Sequence, residues 1–267
     1  MTRPFEGLPS ECDLVALSVL VPAATTRLLL KDSAAEPVLA ATLLPMAWPA
    51  LHRADDQLMV GLQVTGGSGD PSRDIAAALL EAQELPAGSP VLSVGRPGPG
   101  PRLQDILNTS VELDIEVHAG FDYWLEGAAG DVTEDMTAAL GRANEQVVPT
   151  ARLASVEAAY WCRIGTKEHL RWVLPESEDD LLNAFAKLAA DNQLGLGPGT
   201  KYIGCFRSHG LLAAVWDLAP GDEADDVEEA ASAFREKLDI ALADSSPLSA
   251  EARRQRTGIV SRQVTLR

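Results

Sequence analysis

Hydrophobic and polar positions along the chain repeat the order of two strand-like segments followed by one amphipathic helix. The order is clearest over residues 158–242, where it occurs twice. Each pass has an aromatic strand with a cysteine, a turn with a histidine, a second strand with a tryptophan, and then a proline and an acidic cluster. Leu181 and Phe185 mark the apolar face of the first predicted helix, and Phe234 and Leu238 that of the second. Ser177, with Asp180 three residues later, resembles a capping box at the start of the first of these helices. The pattern predicts a strand–strand–helix unit used at least twice.

The first half of the chain shows the same order more weakly. The predicted strands there are residues 38–48, 57–64, 113–120 and 121–127. Asp70 is predicted to cap a helix whose first residue is Pro71, because aspartate suits the cap position and proline the first turn. Further helices are predicted over 131–148 and, before a proline, over Glu11–Leu20.

Paired strands without a helix between them disfavour a continuous βαβ pattern. The predicted fold class is therefore α+β, with repeated strand-strand-helix units forming antiparallel or mixed sheets that carry helices on one face. We expect residues 1–150 to form an N-terminal α+β region. Residues 151–267 are expected to form a C-terminal α+β region with the duplicated unit and a basic tail. One continuous sheet with pseudo-symmetry is the alternative.

The composition is typical of a soluble globular protein. The 267 residues are 46% hydrophobic and 23% charged, which is close to the average for that class. No apolar run reaches the ~20 residues of a membrane-spanning helix, and the N-terminal residues lack a signal-peptide pattern. We therefore expect a cytoplasmic protein without a membrane segment.

The formal net charge of −17 works against binding to nucleic acid over most of the surface, since phosphates repel carboxylates. The basic residues are unevenly placed. Five arginines crowd the end of the chain: Arg253, Arg254, Arg256, Arg262 and Arg267. They are either a docking segment for a protein partner or a solvated helix end that pairs with the protein's own acidic surface.

The cysteines and histidines of the doubled unit are the main candidates for chemistry. Cys162 with His169, and Cys205 with His209, could hold a zinc ion or pair a thiol with a base if the two units brought them together. Their C-x6-H and C-x3-H spacings favour buried thiols and turn histidines instead. Serine-hydrolase and phosphate-loop motifs are missing from the sequence. We expect no cofactor and favour a protein that is not an enzyme.

Several segments together resemble an uncharacterised family of actinobacterial cytoplasmic proteins. They include RPFEGLP, LPMAWPAL, VVPTARL, HLRWVLPE and SRQVTLR, and the resemblance spans nearly the whole chain. Many relatives carry a preceding cysteine-rich SEC-C zinc motif and are labelled SecA-like preprotein translocase. That motif is absent here, so neither the zinc nor the label transfers, and the resemblance supplies no active site.

Two hypotheses for function follow. The first is a non-enzymatic interaction or adaptor protein with an unidentified protein partner. The second is a small-molecule-binding domain or enzyme, with a cleft between the duplicated units that takes an anionic ligand through paired arginines. The candidate ligand-binding residues are Tyr160, Arg163, His169, Arg171, Tyr202, Arg207 and His209. The second hypothesis requires Arg163 and Arg207 to face one cleft.

Overall fold

A computed structural model describes residues 3–32, 36–63, 67–126 and 134–265. The chain divides into two compact units. One is Pro4–Val148, and the other is Pro149–Arg267 together with Met1–Arg3. Each unit has its own six-stranded sheet.

The unit Pro4–Val148 contains four helices and six strands among its described residues. The helices are α1 Glu11–Val19, α2 Pro71–Glu84, α3 Leu103–Ile106 and α4 Glu134–Asn144. The strands are β1 Ala24–Leu28, β2 Val38–Ala41, β3 Ala50–His52, β4 Leu58–Gly61, β5 Ser89–Val91 and β6 Ile115–Val117. Their order across the sheet is β5-β3-β4-β2-β1-β6. Neighbouring strands are antiparallel except for β2 and β4, which are parallel.

This sheet is packed on both faces. Met59 on β4 and Ala41 on β2 share a hydrophobic cluster with Leu140 of α4 and with Phe121 and Tyr123. Successive strand residues point to opposite faces, and α2, which packs over β3, β4 and β5, contributes no residue to that cluster. Helices α2 and α4 therefore cover opposite faces of the sheet.

The unit Pro149–Arg267 has three helices and six strands among its described residues. The strands are β7 Thr150–Arg152, β8 Ala159–Ile164, β9 Lys167–Leu174, β10 Lys201–Ser208, β11 Leu211–Asp217 and β12 Val264–Thr265. The helices are α5 Glu178–Ala190, α6 Ala224–Ala243 and α7 Ala250–Ser261. The strand order is β12-β10-β11-β9-β8-β7. Only the β10–β12 pair is parallel among these described strands.

One face of this second sheet carries all three helices around an aromatic core. Trp216 is fully buried, with Phe234 of α6 and Tyr202 of β10 at ring-centroid distances of 5.2 and 5.4 Å. Its indole Nε1 donates to the Leu194 carbonyl at 2.8 Å, which satisfies the one polar atom that burial would otherwise leave unpaired. Ser177 caps α5 by accepting from the Asp180 backbone N–H, as predicted.

The predicted α+β class and the predicted start of α2 are confirmed, and two of the predicted strands are wrong. Residues 121–126 are not a strand but include a 3-10 turn, Asp122–Trp124. The predicted strand 38–48 is interrupted by a second such turn, Pro45–Ala47, because proline cannot continue a strand ladder. Asp70 is the N-cap residue of α2 and Pro71 its first residue, as predicted, but the Asp70 side chain makes no cap hydrogen bond; its carboxylate pairs with Arg102 Nε at 2.7 Å. Residues 64, 127 and 131–133 of the predicted elements lie outside the described residues.

No helix in the described part of the chain is both long enough and apolar enough to cross a membrane.

Candidate functional site

The predicted ligand-binding residues lie on two opposite faces of the second sheet. Cross-strand register places Tyr160 opposite Arg171, and His169 opposite both Cys162 and Asp217. These side chains share the face away from the helices, because their neighbours Trp161, Leu170 and Trp216 belong to the helix-covered core and alternate residues face opposite ways. Arg163, Tyr202 and Arg207 lie on the helix-covered face, and His209 lies in the β10–β11 turn.

The two arginines of the predicted cleft do not meet. Arg163 is the next-to-last residue of β8 and Arg207 that of β10, and two strands, β9 and β11, separate them. Because β8 and β10 run in opposite directions, the last residues of the two strands also lie at opposite ends of the sheet. The requirement that Arg163 and Arg207 face one cleft is therefore not met.

Each arginine is instead bound by a carboxylate at a helix start. Arg163 Nη2 contacts Glu223 Oε1 at 2.5 Å, next to the start of α6, and Arg163 Nε donates to Glu168 Oε1 at 3.0 Å. Arg207 binds both carboxylate oxygens of Glu178, the first residue of α5. Each arginine thus holds the helix that follows the other hairpin. This arrangement stabilises the packing and leaves the arginines engaged.

The cysteines and histidines do not form the predicted constellation. Cys162 faces away from the helices, whereas Cys205 lies in the helix-covered core, so the sheet separates the two thiols. His169 lies within β9 and not in a turn, because β9 begins at Lys167. Its Nδ1 is 2.9 Å from Asp217 Oδ1 without hydrogen-bond alignment. Burial raises the pKa of both thiols, which keeps them protonated and weakly nucleophilic.

The arginines near the C-terminus pair with the protein's own polar groups. Arg254 pairs with Glu251, and Arg256 binds Asp179 Oδ1 at 2.8 Å and the side chain of Asn183 at 2.9 Å. These contacts match the interpretation of the basic tail as a helix end that pairs with the protein's own acidic surface. Arg267 lies outside the described residues.

The unit Pro4–Val148 contains a concave apolar site that the sequence did not single out, which we call the tryptophan pocket. It encloses about 120 Å³ and is lined by Pro45, Met46, Trp48, Trp124, Leu125, Asp135 and Ala139. Its lining is almost entirely apolar, with Asp135 as its single charged residue.

Trp124 is held rigidly in this pocket. Its indole Nε1 donates to the Leu43 carbonyl at 2.9 Å, and the Tyr123 hydroxyl donates to the same oxygen at 2.9 Å. Phe121 stacks on the indole with a centroid distance of 4.8 Å and an interplanar angle of 24°. Burial raises the pKa of Tyr123 to about 12, so the phenol keeps the proton that it donates. The polar end of Trp124 is satisfied, which leaves its ring for apolar contact.

Met46, which also lines the pocket, is presented on strained backbone. Met46 and Ala47 have φ angles of 54° and 56°, in the left-handed region that costs a non-glycine residue roughly 1–2 kcal/mol. The Met46 side chain is 76% exposed. Backbone strain of this kind concentrates at functional positions, where the surrounding structure maintains it.

A second concave site of this unit, which we call the polar basin, lies over β1 and β6. It encloses about 420 Å³. Its polar lining includes Thr25, Arg27, Glu36, Arg53, Gln57, Asp114, Glu116, His118, Tyr123 and Glu126. Among the lining residues, His118 Nε2 lies 2.8 Å from Thr25 Oγ1, and the imidazole packs on the Tyr123 ring with a centroid distance of 5.1 Å.

No local sequence motif predicts the tryptophan pocket or the polar basin. The basin combines Thr25 and His118, which are 93 positions apart in the chain, and the tryptophan pocket depends on left-handed backbone at two ordinary residues. The five tryptophans were the one available signal, since an exposed tryptophan often marks a partner surface.

The comparisons with known proteins give a family and no function. No curated protein matches the chain, and no solved structure does. A model of a family of unknown function (DUF5926) matches residues 4–267. Since that match covers nearly the whole sequence, the chain belongs to this uncharacterised family, DUF5926.

Proposed function

We propose that this protein is a non-enzymatic interaction protein that binds a partner through the tryptophan pocket. The observation that carries the proposal is an apolar hollow lined by both the fixed Trp124 ring and the strained, exposed Met46. Tryptophan is enriched among the residues that dominate binding energy. A ring already locked by hydrogen bonding and stacking loses little further freedom on binding, which favours affinity.

The pocket favours one kind of occupant. A hollow of about 120 Å³ accommodates one large aliphatic or aromatic side chain. Asp135 at the rim, and the net charge of −17 for the chain, favour a basic residue beside that anchor, because complementary charge steers and orients association. The partner is therefore a protein segment with one large apolar residue next to lysine or arginine.

The residues first considered for chemistry support a non-enzymatic role. The Cys162 and Cys205 thiols have raised pKa values through burial, whereas a cysteine nucleophile needs a lowered one. Arg163 and Arg207 are occupied by Glu223 and Glu178, which weakens the alternative of an anionic ligand held between them.

Four further properties belong to the proposal. The protein works in the cytoplasm of an actinobacterium, as the sequence resemblance implies, and its relatives include chains fused to a SEC-C motif. The buried free thiols suit a reducing compartment. Residues 1–150 and 151–267 are separate domains. The β8–β9–α5 and β10–β11–α6 segments arose by duplication, an idea favoured by their matching arginine–glutamate contacts.

Selection from a random peptide display library, with the full chain as bait, tests the proposed function. The expected binders share a leucine, methionine, phenylalanine or tryptophan beside a basic residue. Ala139→Phe fills the pocket from α4 without removing an anchor, and Met46→Ala removes most of the Met46 side chain from the lining. Each is expected to weaken the selected peptides at least tenfold, which corresponds to about 1.4 kcal/mol.

Leu92→Ala is the matched control for Met46→Ala. Leu92 is 75% exposed, against 76% for Met46, and it does not line the pocket. This variant should bind the peptides as the wild type does. Peptides that tolerate the filled pocket, or a selection that yields no such consensus, would show that the tryptophan pocket is not the docking site.

A further inference from the structure

The polar basin holds opposite charges that are close and yet unpaired. Thr25 on β1 lies directly opposite Glu116 on β6. Arg27 shares the face of Thr25, since it is two residues further along the strand. Arg27 and Glu116 are therefore diagonal neighbours, roughly 7–8 Å apart, a distance that long side chains can bridge. No ion pair joins them within the described chain; the Glu116 carboxylate lies 3.8 Å from His118 Nδ1 instead.

Arg27 and Arg53 both line the basin, but only Arg53 has an ionic partner among the described residues. Arg53 binds Asp55 through two nitrogens, so its charge is already compensated. Arg27 is exposed and has no hydrogen bond or ion pair within the described residues. Its planar fork of donors matches a carboxylate in bidentate geometry. The basin therefore offers one available guanidinium.

The carboxylates of the basin outnumber that guanidinium. Glu36, Asp114 and Glu126 line it together with Glu116, and the first three have no ion pair within the described residues. The sum of the available charges is negative, so a bound molecule should carry net positive charge. It should also carry an anionic group to meet Arg27.

The lining also includes groups that suit a hydrocarbon chain between two polar ends. Leu39 and Tyr123 are among the lining residues, and His118 is fixed by its contact with Thr25. The volume of about 420 Å³ falls within the roughly 300–1,000 Å³ of small-molecule sites. The hollow thus combines room, apolar contacts and charges of both signs.

We propose that the polar basin binds a basic amino acid, with Arg27 taking its α-carboxylate and the rim carboxylates taking its ammonium and side-chain cation. This site is distinct from the tryptophan pocket, and its occupancy does not depend on the proposed protein partner. A plain polyamine lacks the carboxylate, and an acidic amino acid has the wrong net charge. The basin therefore selects a ligand that has both a carboxylate and a net positive charge.

Isothermal titration of the full chain with three probes tests this. L-arginine carries the carboxylate and the side-chain cation, agmatine lacks only the carboxylate, and L-citrulline lacks only the side-chain charge. L-arginine should bind most tightly, and the other two at least tenfold more weakly. Arg27→Gln should weaken L-arginine binding about tenfold without weakening agmatine binding, because only L-arginine uses the guanidinium and agmatine gains from the loss of a repelling positive charge.

Arg142→Gln is the matched control. Arg142 is an exposed arginine of the same unit, without a hydrogen bond or ion pair among the described residues, and it does not line the basin. Its substitution should leave L-arginine binding unchanged. Equal binding of agmatine and L-arginine, equal effects of the two arginine substitutions, or no heat of binding for L-arginine at millimolar concentration would each overturn the proposal.

Discussion

Substitution of Glu178 tests the crosswise contacts between the two hairpin–helix segments. Glu178 is the first residue of α5, and its two carboxylate oxygens bind Arg207 of β10. Gln263 Nε2 donates to the same carboxylate at 3.1 Å. Glu178→Gln keeps the size of the side chain and removes its charge.

The expected loss follows from geometry and exposure. A bidentate, charge-assisted pair is among the stronger ion pairs, but the Arg207 and Glu178 side chains are 39% and 34% exposed, so solvent screens them. We therefore expect a coupling free energy of about 1 kcal/mol. Loss of a carboxylate at a helix N-terminus adds about 0.5 kcal/mol. Glu178→Gln should thus lower the free energy of unfolding by about 1.5 kcal/mol at neutral pH.

The effect has a defined pH dependence. Arg207 lowers the pKa of Glu178 below its usual value. A carboxyl whose folded pKa is depressed adds stability above its unfolded pKa of about 4.3 and loses it as pH falls through the folded value. The difference between wild type and Glu178→Gln should therefore shrink progressively below about pH 4.

Urea unfolding of wild type, Glu178→Gln, Arg207→Gln and the double variant measures the coupling. The same cycle on Arg254 and Glu251 is the control, since that pair lies within one helix and its side chains are 72% and 44% exposed. Its coupling should be smaller. Two results would refute a stabilising role of the crosswise contacts: equal coupling free energies in both cycles, or a loss of stability in Glu178→Gln that persists at acidic pH.

Three other substitutions have defined outcomes. Trp216→Phe should lower the free energy of unfolding in urea by about 2–3 kcal/mol, because it leaves the Leu194 carbonyl without its donor and opens a cavity. A loss below about 1 kcal/mol would contradict the central role of this ring. Burial lowers the pKa of His209, so protonation of this residue favours unfolding below about pH 6.5. His209→Asn keeps a residue that tolerates the positive φ of 48°, and it should reduce the loss of stability below that pH. An unchanged dependence of stability on pH would assign the loss to other groups. Met46→Gly should raise the melting temperature, because glycine adopts the φ of 54° without backbone strain, and it should weaken peptide binding. A lowered melting temperature would argue against strain at this position.

Sequence periodicity was sufficient for the elements whose stability is local. Helix α1 begins at the predicted residue Glu11, and Ser177 caps α5 as its spacing with Asp180 predicts. The α+β class followed from strands paired without helices between them. In each case the signal lies within a few neighbouring residues, where propensity and capping act.

The candidate sites could not be predicted because they depend on strand order and on unusual backbone. The separation of Arg163 from Arg207 follows from β9 and β11 being the inner strands, which no local pattern specifies. The polar basin requires β1 to pair with β6 across a long stretch of chain. Met46 has left-handed backbone although methionine has no preference for it, so tertiary packing must impose it.

Photo-crosslinking in the cell tests the central claim, docking at the tryptophan pocket, most directly. A photoreactive amino acid replaces Asp135 at the rim of the pocket, and the control replaces Leu92, which lies outside it. The account predicts an adduct from position 135 alone, mapped to a partner segment with a large apolar residue beside a basic one, and its loss when Met46→Ala is added. Identical adducts from both positions, or none from position 135, would contradict it.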